Sequence, residues 1–303
     1  MTRVDAHVHV VNFQQHLGEP GDLMRALDRA GADRAVVSGL AVKKKWASTE
    51  PMRPAYYLDD NAPCTTYPMT DELVADLVGA LAPEDRERVA PLVCGLDPTD
   101  LFAVEHVELM IRRHDIWRGV GELLLRHDDL TNLTYGEPAR AGHPALDPVL
   151  DLCAQRDWPV SVHQDSSSAG RWDDFEYLGE LREMLDRHPA TTVVWCHAGA
   201  SRRVQPGAHV SMVRDMLTTY RRLHVDLSWA VYDELVTREG HPDAAWVELV
   251  GDFPDRFVIG SDVFGDFDGL PAKLDRFEQL LDELSGRDAD RVRHENADRL
   301  WFG

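Results

Sequence analysis

"VDAHVHV", residues 4–10, places Asp5, His7 and His9 at alternate positions among Val and Ala. Two residues along a strand return a side chain to the same face, so His7 and His9 point the same way and can reach one cation. A buried imidazole pair needs such a partner, because unpaired polar groups inside a protein are costly. A solvent-facing edge strand is the plainer reading of this stretch alone, and the rest of the chain decides between the two.

Seven further strand-like runs follow it: "DRAVVSGLAV" (33–42), "RVAPLVCGL" (88–96), "RGVGELLL" (118–125), "WPVSVHQ" (158–164), "TTVVWCHAG" (191–199), "LHVDLSWAV" (223–231) and "RFVIGSDVF" (256–264). Between them lie segments with apolar residues recurring at three and four positions, the pattern of a helix with one buried face. These include 22–31, 71–81, 100–114, 144–156, 177–188 and 273–284. Strand followed by helix, eight times over 303 residues, is the order of a (β/α)8 TIM barrel forming one domain over 1–303. A doubly wound open sheet fits less well, since no GxGxxG follows the first run and polar residues recur at strand ends throughout. The longest segment after a strand is the β2α2 loop, about 43–70, and such loops lie on the catalytic face of a barrel.

The formal net charge of −21 disfavours nucleic acid and anionic membrane surfaces as partners. No apolar stretch approaches the roughly 18 residues that cross a bilayer, and no secretory signal pattern precedes the first run. Cys64, Cys94, Cys153 and Cys196 form no CxxC pair. Reduced thiols in a cytoplasmic protein suit that spacing. A small-molecule substrate is the expected partner, and a homo-oligomer is compatible with the sequence.

The strand ends carry the chemistry. Glu122 lies in the fourth run, His163 in the fifth, His197 in the sixth and Asp262 in the eighth. Singly, each has a plain explanation, such as a hydrogen-bonded core imidazole or a helix cap. Together with His7 and His9 they make a six-residue candidate metal site of imidazole and carboxylate donors. Such donors suit Zn, with Mn or Fe as alternatives, at one or two ions per chain. Cys196 directly precedes His197, so strict alternation turns it away from the site into the core.

The HxH of the first run, the histidines of the fifth and sixth and the aspartate of the eighth resemble the amidohydrolase superfamily of metal-dependent hydrolases. The order spans the whole chain. The tail "ENADRLW" (295–301) is similar to the ending of its amidohydrolase-2 branch, which includes aminocarboxymuconate-semialdehyde decarboxylase. The resemblance implies that His7, His9 and Asp262 hold one divalent metal, with His163 and His197 completing the site. The "GVGE" of residues 119–122 resembles members, TatD-like nucleases among them, in which Glu bridges two metals. Many members use a carboxylated Lys there, and the fourth run has none. Glu122 therefore either bridges or supports the ligands from behind.

A bound divalent ion lowers the pKa of water toward about 7 and polarises a carbonyl. Asp262 can accept the water's proton and return it to the leaving group, and His197 can orient water or substrate. The expected activity is hydrolysis of a small amide, ester or lactone. A metal-dependent decarboxylase of the same branch is the alternative; a TatD-like nuclease and a non-catalytic metal-binding protein are weaker ones. Candidate substrate-binding residues are Arg126, which can hold a carboxylate as a fork, Trp229 as a pocket wall, and the basic cluster Lys43, Lys44 and Lys45. His127, His143 and His209 read as ordinary loop or helix histidines.

Overall fold

The computed structural model describes residues 2–42, 67–127, 130–131, 137–168, 174–200, 206–229 and 232–303. The cluster Lys43–Lys45 and most of the β2α2 loop lie outside them.

Seven strands alternate with seven helices in chain order: β1 (Val4–Val11), α1 (Pro20–Ala30), β2 (Arg34–Gly39), α2 (Thr70–Ala80), β3 (Val89–Val93), α3 (Ala103–Arg113), β4 (Gly119–Arg126), α4 (Asp147–Arg156), β5 (Val160–Gln164), α5 (Leu178–Arg187), β6 (Val193–Trp195), α6 (Pro206–Thr219), β7 (Leu223–Asp226) and α7 (Ala244–Asp252). The eighth stave is split into β8 (Phe257–Val258) and β9 (Val263–Phe264), and α8 (Leu270–Asp275) and α9 (Glu278–Asp282) follow it. Consecutive strands pair in parallel from β1 to β7. β8 pairs with β7 and β9 with β1, so the stretch 257–264 closes the sheet on itself. Ala6 donates to Ile259 across this seam at 2.9 Å, and Asp262 donates to His7 at 2.8 Å. The architecture is the expected (β/α)8 barrel.

Local sequence explains the elements. The first helix shows the pattern: α1 starts with Pro20, whose fixed φ suits a first turn, and ends at Gly31 in the left-handed region (φ 61°), with its N–H bonded to Leu27 and Asp28 carbonyls. Leu23, Ala26 and Leu27 on its inner face are buried against the sheet. The strands are covered on both faces, which is why they read as near-continuous apolar runs. Most are shorter or more broken than expected, the third running only to Val93 and the seventh only to Asp226. The sixth ends at Trp195 because Cys196–Gly199 forms a tight turn, the second stops at Gly39, and the eighth breaks around Gly260. A Cβ at Gly260 would lie 2.5 Å from His7 Cβ, so only glycine lets this backbone pass so close to β1.

Two apolar layers result. One lies between sheet and helices. The other fills the base of the lumen with Val4, Ala6, Val36, Ala90, Val194 and Val258, plugged from below by Trp301. Asn296 ties that C-terminal plug to the barrel, its Nδ2 donating to the carbonyls of Pro254 and Phe257 at 2.8 Å. Among the described residues no helix is long and apolar enough to cross a membrane.

Candidate metal centre

Above the apolar base the lumen turns polar. On β1, pairing with β2 shifts register between Asp5 and Val8, so Ala6 and His7 both contribute to the lumen instead of alternating. Asp5 is thereby separated from the histidines: its Oδ1 accepts the backbone N–H groups of His7 and Ser261. His7 and His9 remain together, with their Nε2 atoms 3.0 Å apart.

Each imidazole is held from behind. Asp226 Oδ2 lies 2.7 Å from His7 Nδ1, and Ser38 Oγ lies 3.2 Å from His9 Nδ1. An ionised carboxylate only accepts, so a proton sits on His7 Nδ1 and Nε2 is the nitrogen that faces inward. Asp262 Oδ1 stands 3.7 Å from His7 Nε2 and 3.3 Å from His9 Nε2.

Glu122 divides its two oxygens. Oε2 faces the β1 pair, 3.6 Å from His7 Nε2 and 3.2 Å from His9 Nε2. Oε1 faces the next pair, 3.0 Å from His163 Nδ1 and 3.2 Å from His197 Nε2. Behind these, Asp165 Oδ1 meets His163 Nε2 at 3.1 Å and Ser228 Oγ meets His197 Nδ1 at 3.0 Å. The structure thus brings all six predicted residues into one cluster, none more than 8% exposed.

The backbone is bent to achieve this. His197 (φ 57°), Trp229 (φ 74°) and Asp262 (φ 49°) all adopt the left-handed region that side chains with a Cβ avoid. Strained residues of this kind gather where a fold serves a site. Lys273 on α8 donates to the backbone carbonyl of Asp262 at 3.0 Å, fixing that turn.

The electrostatics point the same way. Burial opposes every charge here, yet Glu122 and Asp226 raise the His7 pKa well above its ordinary value. Burial likewise opposes protonation of His163, but Asp165 and Glu122 push it up to about 10. Burial also works against the Asp262 charge, and the His9 hydrogen bond with the nearby imidazoles holds its carboxyl below the usual range. Glu122 is depressed in the same manner, chiefly by His7. Protons on imidazole are what balance these carboxylates, and a divalent ion would take their place and release them. No Lys or Arg stands among the described residues lining the cavity, which measures about 40 Å³, room for a few water-sized occupants. Inward imidazole nitrogens that can give up their protons, beside anionic oxygens, fit a divalent metal. Four overlapping sets, including His7–His9–Asp262 and Glu122–His163–His197, place their donor atoms within 4.8 Å of one another.

Two expectations need correction. Cys196 does not turn into the helix layer: its sulfur lies with His7 and Glu122 inside the lumen. Alternation ends at Trp195, and the turn at Cys196–Gly199 presents both Cys196 and His197 inward. Burial beside Glu122 pushes the Cys196 thiol pKa well up, and its sulfur joins His7 and Glu122 in one of these donor sets. Arg126 does not line the cavity either. Its guanidinium pairs with Glu180, Nε to Oε2 at 2.9 Å, and stacks on Tyr177, which satisfies it away from the site.

Trp229 does form a wall, its ring centroid 5.1 Å from that of His197, opposite Phe13 and Phe264. His127, read as an ordinary histidine, lines the same cavity, stacked on His163 at 4.5 Å. The supporting groups Asp226, Ser228, Asp165 and Ser38 were not singled out. A signal existed for three of them: "DLS" (226–228) and "HQD" (163–165) repeat the alternate polar spacing of the first strand.

A family model described as amidohydrolase, that of the amidohydrolase-2 branch, matches residues 4–303. No curated protein matches significantly. Similar solved structures include a probable 2-pyrone-4,6-dicarboxylic acid hydrolase from Acinetobacter baumannii with citric acid bound, at 14% identity, TM-score 0.60 and 100% coverage of both chains. A 2,6-dihydroxybenzoate decarboxylase from Rhizobium matches at 13% identity and TM-score 0.59, over 99% of this chain and 97% of the other. An amidohydrolase from Burkholderia multivorans with bound zinc matches at 14% identity and TM-score 0.59, over 99% of each. At these identities the likeness establishes the fold.

Proposed function

The chain belongs to the amidohydrolase family, and on that premise we propose that it is a metal-dependent hydrolase cleaving a small amide, ester or lactone at the mouth of the barrel. The observation that carries this reading is the division of Glu122, with one oxygen toward His7 and His9 and the other toward His163 and His197. A carboxylate so placed suits two cations, and paired ions serve hydrolytic displacement. His7, His9 and Asp262 would hold one ion, His163 and His197 the other, with Glu122 between them. When bound, such ions supply Lewis acidity and lower the pKa of water. Zinc suits imidazole and carboxylate donors, and the Burkholderia multivorans relative is described with zinc.

The chain's own groups do the rest. Asp262, kept ionised by its imidazole neighbours, accepts the proton of the attacking water and returns it to the leaving group. Asp226 and Ser38 fix the rings of His7 and His9, and Ser228 with Asp165 fixes those of His197 and His163. Trp229, Phe13 and Phe264 exclude water and receive the apolar part of a small substrate. Lys43, Lys44 and Lys45 remain candidates for drawing in an anionic substrate.

Metal analysis of protein purified without chelator should give two divalent ions per chain, falling toward one in Glu122→Gln, which keeps the shape and loses the charge. The same preparation should release acid from lactones, esters or amides. Release of CO₂ from carboxylated aromatics with no hydrolysis would replace the hydrolase reading with a decarboxylase one. Unchanged stoichiometry in Glu122→Gln would remove the bridge.

A further inference from the structure

We propose that the opposite, N-terminal end of the barrel carries a second site, a cavity that binds the phosphate group of a small phosphorylated molecule. Its walls are the starts of the later strands: Arg221, Arg222 and His224 around β7, Arg256 before β8, and Arg299 from the C-terminal plug. It shares no residue with the metal centre and stands independently of the hydrolase reading.

Three observations converge. The cavity measures about 330 Å³, within the range of ligand sites. Four arginines line it against two carboxylates, Asp157 and Asp255, whose side chains are 90% and 60% exposed and offset them weakly. This occurs in a chain carrying −21 overall, where converging positive charge is otherwise scarce. Third, His224 lines the cavity while only 7% exposed, and its Nδ1 is buried without a hydrogen-bond partner. An unpaired polar atom buried in the cavity wall is a cost to the free protein.

The arginines are not all spent on the fold. Arg256 is, its Nη1 donating to the carbonyls of Leu223 at 2.7 Å and Tyr220 at 3.1 Å. Arg299 donates to the carbonyl of Asp255 at 2.9 Å and to Asn296 Oδ1 at 3.0 Å. Arg222 touches Thr192 Oγ1 at 2.8 Å and Asp157 Oδ1 at 3.2 Å, which keeps its fork at the rim. Arg221 has no side-chain partner among the described residues. The field these groups create is felt by their neighbours. Burial, then Arg256, Arg299 and Arg222, push His224 down to about 3. Arg256 itself is lowered by burial and by Arg299 and Arg221, with only Asp255 opposing.

Guanidinium forks match phosphate and carboxylate oxygens alike; what favours phosphate over a lone carboxylate is its charge, nearly twice as large for a monoester, against several arginines. The volume exceeds what inorganic phosphate fills, so an organic remainder is accommodated, with Pro159 and Leu300 as apolar wall. Barrel enzymes keep their chemistry at the C-terminal face, so a ligand here modulates or anchors the protein and is not turned over.

Calorimetric titration with phenyl phosphate and with phenol tests this. Phenyl phosphate should bind saturably, more weakly at 0.2 M than at 0.05 M salt, and phenol should not bind. Arg221→Gln, at a side chain without partners, should weaken binding about tenfold, the size expected for one charge-assisted contact, and Arg221→Gln/Arg222→Gln should weaken it further. His9→Asn, at the metal centre, should leave affinity unchanged. Arg25→Gln/Arg112→Gln, removing the same charge from exposed helix positions, should also leave it unchanged. Equal loss in that control, loss confined to His9→Asn, or no saturable binding would overturn the proposal.

Discussion

At the base of the lumen Val4, Ala6, Val36, Ala90 and Val194 cluster with Trp301; nearer the mouth His7, His9, Glu122, His163 and Asp262 crowd within hydrogen-bond reach. The base obeys the pleat, small apolar side chains filling a tapering space. The mouth departs from it at nearly every strand. β1 slips register, β6 ends in two left-handed residues, and the eighth stave breaks at Gly260 to leave Asp262 at φ 49°. The lesson is a division of labour along each strand: regular backbone supplies stability, and irregular backbone aims donors. Substitutions at the two ends should therefore fail in different ways.

The largest effect belongs to the mouth. Asp262→Asn should lower kcat by about 10² to 10⁴, the worth of general acid–base help, while its thermal unfolding stays close to wild type. Near-normal turnover would remove Asp262 from the mechanism and leave the mouth without its base.

The base should show the converse. Trp301 is 2% exposed beneath the lumen, and Trp301→Ala leaves a cavity where the plug was. A loss of about 3–5 kcal/mol in unfolding free energy is expected for such a truncation. Activity per folded molecule should hold, because no donor moves. Denaturant unfolding alongside kcat measures both. A loss of activity without loss of stability would show that the two ends are coupled.

What was legible in the sequence follows the same division. The staves and most helices read correctly because both lumen and helix layers impose periodicity on the residues. The six candidates meet in one cluster, and they stood out because histidine at a strand end serves poorly as a turn former, as His163 and His197 show. Side chains whose direction depends on where a strand ends, or on a distant partner, were not legible. Cys196 was assigned by an alternation that stops one residue before it, and Arg126 by proximity to a strand end, with no sign in its neighbours of the distant Glu180 that claims it. His127 looked like any loop histidine because only the fold stacks it on His163. Asp226 was hidden for another reason: the seventh run extends to 231 in the sequence and puts Asp226 mid-strand, whereas β7 ends at Asp226.

That residue offers the smallest and most selective test. Asp226 Oδ2 is 2.7 Å from His7 Nδ1 and 2.6 Å from Ser228 Oγ, all of them buried. As a carboxylate it can only accept, so it fixes the His7 proton on Nδ1 and leaves Nε2 free to face a cation. Asn has the same shape but carries an NH₂ group as well as an oxygen. If the amide presents its NH₂ to Nδ1, the proton moves to Nε2 and closes that donor; if it presents its oxygen, only the charge is lost. In either orientation Asp226→Asn should weaken metal affinity about 10- to 100-fold, read by competition with a chromogenic chelator. Secondary structure should be unchanged and the Glu122→Gln stoichiometry effect should persist, because Asp226 reaches the His163–His197 half only through the Ser228 hydroxyl, which still meets His197 Nδ1. Loss of metal from both halves together would mean that the centre assembles as one unit, and unchanged affinity would mean that Ser228 alone suffices to orient His7.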